Sequence, residues 1–90
     1  MPIPEKGRGV LYHRYGIVTY TMDGLLHNIG QAAVEYPNGK REYWQHGRLH
    51  RKEGPAITYR DGSENQYYLN GVQVTKEEHA LQVGMQSERA

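Results

Sequence analysis

The chain repeats itself, and that limits what it can fold into more than any other feature. Gly24-Leu25-Leu26-His27, Ala33-Val34-Glu35-Tyr36-Pro37-Asn38-Gly39 and Tyr43-Trp44 are answered by Gly47-Arg48-Leu49-His50, Ala56-Ile57-Thr58-Tyr59-Arg60-Asp61-Gly62 and Tyr67-Tyr68. The spacing is 23 residues, becoming 24 after a one-residue insertion. A third unit starts at Asn70-Gly71-Val72 and breaks off. A shortened copy precedes both, with His13-Arg14, Val18-Thr19-Tyr20 and Asp23-Gly24, and lacks the aromatic second strand. Units this short cannot bury a face alone, so the copies must stack.

Each unit reads as strand, turn, strand, turn. Pro37-Asn38-Gly39 and Arg60-Asp61-Gly62 are turn signals, because Asn-Gly and Asp-Gly supply the left-handed positions of tight hairpins. His46-Gly47 and Asn70-Gly71 mark the next reversal. Between turns the pattern has period two: Val18, Val34 and Ile57 are assigned one face with Tyr20, Tyr36 and Tyr59, and Thr19, Glu35 and Thr58 the other. The expected fold is therefore all-β, an antiparallel meander of stacked hairpin repeats in a single domain over 1–90. Its units fall at about 9–24 (partial), 24–46, 47–70 and 71–79 (partial).

The array needs a closing element. Thr75-Lys76-Glu77-Glu78 has the spacing of a capping box, with Val74 and His79 placed as a hydrophobic staple. The spacing predicts a short capping helix over 76–83, ending near Gly84. The tail from Met85 is expected to fray.

Ninety residues make one domain with a thin core, and 37% hydrophobic residues fit that size. All nine aromatics, eight Tyr and one Trp, carry a polar tip, which suits sheet surfaces and interfaces. The absence of Cys rules out disulfides and Cys-based zinc sites. Residues 1–6 have no apolar stretch of the signal-peptide kind, and no run reaches the length of a membrane span, so a cytoplasmic location is expected. A net charge of +1 gives no general field for nucleic acid or anionic membrane.

Gly47-Arg48-Leu49-His50-Arg51, with Trp44 before it and Gly54-Pro55-Ala56 and Asp61-Gly62 after it, resembles the W-x-x-G-x-x-H-R-x-x-G-P-A repeat of tailed-phage accessory proteins, itself similar to MORN repeats. The resemblance spans roughly 9–79, with Gly-Pro-Ala intact once and Trp44 replaced by Tyr68 in the next copy. It implies stacked hairpins and a phage protein that binds and inhibits one host protein, as in host takeover or anti-CRISPR defence.

The residues themselves argue against an enzyme. Five histidines, His13, His27, His46, His50 and His79, invite a metal reading. Yet His27 and His50 hold equivalent repeat positions, and a residue repeated by the architecture serves the architecture, for instance by hydrogen-bonding a neighbouring turn. No metal, cofactor or catalytic residue is assigned. Ser63 is turn chemistry, and Glu77-Glu78 belongs to the cap. The expected role is a protein-binding module acting by steric occlusion through Tyr43, Trp44, Arg48, Arg51, Tyr67 and Tyr68, the residue types that dominate interfaces. Its partner would be a bacterial host protein, with a homodimer also favoured by open sheet edges. Two other readings stay open. Lys40, Arg41, Arg48, Arg51 and Lys52 beside Tyr43 and Trp44 would suit single-stranded nucleic acid, though Glu35, Glu42 and Glu53 interrupt them. Pairing between sheet edges would make a self-assembling scaffold.

Overall fold

The structure, a computed structural model, describes residues 7–87, with side chains described through Gly84. Among the described residues, ten short strands and a 3-10 turn at Arg14–Gly16 precede one α-helix. They are β1 (Arg8–Tyr12), β2 (Val18–Met22), β3 (Leu25–Leu26), β4 (Val34–Glu35), β5 (Arg41–Glu42), β6 (Trp44–Gln45), β7 (Arg48–Leu49), β8 (Ile57–Thr58), β9 (Tyr67–Leu69), β10 (Val72–Val74) and α1 (Lys76–Ser87). All strand pairing is antiparallel, so the all-β architecture read from the repeat is the one observed.

Two kinds of hairpin alternate. The first has a two-residue loop: Asp23-Gly24 joins β2 to β3, His46-Gly47 joins β6 to β7, and Asn70-Gly71 joins β9 to β10. Both residues of each loop are left-handed, with φ of 51° and 80°, 50° and 80°, and 51° and 83°. That is what a type I′ turn requires. The second kind is wider. Gly39 (φ 92°) donates to Tyr36 O while Tyr36 N donates to Lys40 O, closing the β4–β5 hairpin around Pro37 and Asn38.

This distinction corrects the expected alignment of the first copy. Asp23-Gly24 corresponds to His46-Gly47 and Asn70-Gly71, not to Asn38-Gly39. The expected face assignment shifts with it. Val18 stands opposite Glu35, and Thr19 opposite Val34. Directly opposed residues share a face, so Val18 and Tyr20 lie with Glu35, and Val34 lies with Thr19. Tyr20 confirms this by donating to Glu35 at 3.3 Å. In the two fuller copies the assignment holds: Val34 and Ile57 both stand opposite Glu42, and Glu35 and Thr58 opposite Arg41.

One sheet runs β1-β2-β4-β5-β8, with β3 also on β2. The β6–β7 and β9–β10 hairpins are separate small sheets that stack by backbone hydrogen bonds between turns. Gly47 N donates to Leu26 O, and one unit on Gly71 N donates to Leu49 O. The result is flat, 41 × 31 × 18 Å. Among the described residues the buried hydrophobic positions are Ala32, Ala33, Val34, Ala56, Ile57 and Leu69, half of them alanine. Small side chains fit because consecutive hairpins approach through their backbones.

The helix cap forms as its spacing predicts. Glu78 N donates to Thr75 Oγ1 at 3.0 Å and Thr75 N donates to Glu78 Oε1 at 2.9 Å. The helix outlasts the expected 76–83, continuing through Gly84 to Ser87. A lone glycine weakens a helix by about 1 kcal/mol without ending it. Residues 85–87 of the expected frayed tail are helical, and the rest of that tail lies outside the described residues. His79 is buried against Tyr67, the cross-strand partner of Val74, with ring centroids 5.0 Å apart.

Candidate functional site

The histidines that repeat are structural. His27 Nδ1 accepts from His46 N at 3.0 Å, and His50 Nδ1 accepts from Asn70 N at 2.9 Å. Each thereby satisfies the first amide of a type I′ turn in the next unit. Burial pushes both imidazoles below their ordinary range, helped by His46 and Arg8 at His27 and by Lys52 at His50. Among the described residues no group of three or more His, Asp or Glu is arranged to hold a metal.

The six residues expected to meet a partner are divided by the fold. Tyr67 and Tyr68 are consecutive in β9 and project to opposite faces. Tyr43 carries the Arg51 guanidinium 3.8 Å from its ring centroid, and Arg51 Nη1 also donates to Pro55 O at 3.2 Å. Trp44 is held by its indole N–H, which donates to Glu42 Oε1 at 2.9 Å, and Tyr68 donates to Gln66 Oε1 at 3.3 Å in the equivalent arrangement. Arg48 is exposed, its stem lying along Gly71. The structure thus brings Tyr43 and Arg51 together and leaves the six without one common face.

A different set converges where the wide turns lie side by side. Asn38, Lys40, Tyr59, Arg60, Asp61 and Ser63 line an open groove of about 590 Å³. Gly39 lets the two turns close up: a Cβ there would stand 2.7 Å from Arg60 Cβ. Lys40 Nζ lies 5.1 Å and 5.6 Å from the centroids of Tyr36 and Tyr59, and 3.5 Å from Glu42 Oε2. Glu42 also accepts from the Tyr36 hydroxyl at 3.1 Å, which with burial holds that phenol above its usual range. Each turn is built by its own side chain: Asn38 Oδ1 accepts from Lys40 N, and Asp61 Oδ1 from Ser63 N and Ser63 Oγ. The Ser63 bonds hold the Asp61 carboxyl below its usual value.

The groove can therefore offer an anion Lys40 and Arg60, with Lys40 also paired to Glu42 at 3.5 Å and the Asp61 carboxylate already accepting from Ser63. Sequence reading weighed Lys40 with the basic residues near Trp44. It had no signal for the pairing with Arg60, twenty residues on, which only the stacking of two turns creates.

A family model described as the FHA domain matches residues 37–86, more than half of the chain. No curated protein and no solved structure matches significantly. The match overturns the resemblance to MORN-like repeats of phage accessory proteins, and nothing else supports a phage origin. The motifs behind that resemblance, X-Gly turns with a histidine three residues on, form and link the stacked I′ hairpins of this chain. The matched segment includes both groove-forming turns and the cap helix.

Proposed function

Since this chain belongs to the FHA-domain family, whose members are protein-binding modules that recognise phosphopeptides, we propose that it binds a phosphorylated segment of a partner protein and seats the phosphate in the groove between the two wide turns. The observation that carries the reading is the convergence of Lys40 and Arg60 on a groove inside the matched segment. A phosphate carries nearly two negative charges near neutral pH and several strong acceptor oxygens, so it pairs well with Arg and Lys. Ser63 stands beside them, its hydroxyl and amide already donating to Asp61 Oδ1. Tyr59 offers the peptide an apolar wall.

No helix among the described residues is long and apolar enough to cross a membrane. The experiment is a phosphopeptide array read against its unphosphorylated twin. Binding is expected only with phosphate. The doubly neutral variant Lys40→Met with Arg60→Met is expected to weaken it at least tenfold, since two charge-assisted hydrogen bonds contribute about 1.5–3 kcal/mol each. Phosphate-independent binding would sink the functional reading, and full binding by the double variant would move the site elsewhere.

A further inference from the structure

One face of the molecule carries the same tyrosine three times. Tyr20, Tyr43 and Tyr67 each stand three residues before a two-residue I′ turn, and His27 N donates to Tyr20 O as His50 N does to Tyr43 O. Two of the three rings are covered. Arg51 lies over Tyr43 at 3.8 Å, and the His79 imidazole lies against Tyr67 at 5.0 Å. In both cases the cover is a planar nitrogen group.

Tyr20 has no such cover among the described residues. Its counterpart of Arg51 is Asn28, 23 residues earlier. The equivalence is exact to the hydrogen bond: Asn28 Nδ2 donates to Ala32 O at 3.0 Å, as Arg51 Nη1 donates to Pro55 O at 3.2 Å. Asn28 thus closes its loop as Arg51 does but is too short to reach over the ring. A pocket of about 240 Å³ lies there instead, lined by Tyr20, Met22, Val10, His27, Asn28 and Gln31 among others. It exceeds the roughly 150 Å³ that suffices for benzene. The Tyr20 hydroxyl already donates to Glu35, a carboxylate that also pairs with Arg41 at 3.7 Å, so the hydroxyl edge of the ring is partnered.

We infer that this pocket is a binding site for a guanidinium group, which would stack on Tyr20 as Arg51 stacks on Tyr43. The site lies in residues 8–31, outside the segment matched by the family model, so it stands or falls apart from the phosphate groove. Arg8 also lines the pocket, so any cation that enters meets a like charge. A guanidinium, weakly hydrated and flat, tolerates that neighbour better than an ammonium and uses the ring face.

The test is a titration of the full chain with N-acetyl-arginine amide, reading the Tyr20 ring resonances by NMR. Saturable shifts at Tyr20 are expected, with a dissociation constant on the order of tens of millimolar for a single stacked cation. N-acetyl-lysine amide is expected to bind several-fold more weakly. Asn28→Arg fills the pocket from within and should abolish the shifts. Should that variant fail to fold, Tyr20→Leu serves, read at the Met22 methyl of the same pocket, with an expected loss of roughly threefold to thirtyfold. Free L-arginine run in parallel separates the sources: tighter binding than the blocked form assigns the site to a small metabolite, and weaker binding to an arginine within a partner chain. Unmoved Tyr20 resonances, equal binding of the lysine derivative, or undiminished binding by Asn28→Arg or Tyr20→Leu would overturn the assignment.

Discussion

The sharpest test of how the stack is held is to remove one histidine acceptor and then restore it in another form. His27 is 9% exposed, and its Nδ1 takes the amide of His46, which heads the next I′ turn. In His27→Ala that amide loses its partner in a partly buried place, at about 1–3 kcal/mol. The ring, stacked on His46 at 4.4 Å, also leaves a void worth roughly another 1–2 kcal/mol. The sum of about 2–5 kcal/mol is a large share of the roughly 5–13 kcal/mol expected for ninety residues. His27→Asn behaves differently, because Asn Oδ1 hangs from Cγ as His Nδ1 does and can take the same amide. It should lose only the void contribution. The two variants also separate by pH. Folding holds the His27 imidazole below its ordinary value, through burial first and then His46 and Arg8. The unfolded chain therefore binds the extra proton first. The associated stability is complete above about pH 6.5 and falls away as the pH drops toward the folded value, by at most about 1.4 kcal/mol per pH unit for one histidine. His50 adds a second contribution of the same sign. Urea melts between pH 7.5 and 5.0 at constant m-value read both effects. Wild type should weaken with acid more steeply than His27→Asn. Equal acid slopes, or a His27→Asn as damaged as His27→Ala, would refute the acceptor role.

Glycine sites give opposite signs in the same assay. Gly39→Ala must place a Cβ at φ 92° against Arg60 and should cost more than about 2 kcal/mol, whereas Gly84→Ala in α1 meets nothing within 4 Å and should gain up to about 1 kcal/mol. Thr21 is buried with an Oγ1 that has no hydrogen-bond partner, so Thr21→Val should be neutral or stabilising by up to about 1 kcal/mol, and a clear loss by calorimetry would reveal a partner for that oxygen.

What the sequence made legible was whatever the repeat states twice. The role of His27 and His50 followed from their equivalence alone, and both take the turn amide that equivalence implies. The cap at Thr75 was legible because a capping box is local chemistry four residues long. The alignment of the first copy was not. Asp-Gly and Asn-Gly serve both the two-residue turn at 23–24 and the wider turn at 37–39, so the dipeptide alone cannot tell which hairpin it closes. Choosing the wrong one moves the register by an odd number of residues and exchanges the faces of Val18 and Thr19.

The six residues expected to form one binding face are separated for a related reason. Aromatic and basic side chains near Trp44 looked like one surface because they are close in sequence. Period two sends neighbours such as Tyr67 and Tyr68 apart, and the fold uses up several of their polar tips, the Trp44 indole on Glu42 among them. The groove draws instead on Lys40 and Arg60, which belong to successive copies and meet only when the turns stack. The pocket over Tyr20 is harder still to read, since it comes from a residue that is not there. Asn28 keeps the loop-closing bond of Arg51 and omits its guanidinium, so the vacancy shows only once the first copy is aligned by its turn rather than by its strand. In a stacked array, what every copy shares builds the scaffold. The places where one copy departs from the others are where a binding site can open without loss of the fold.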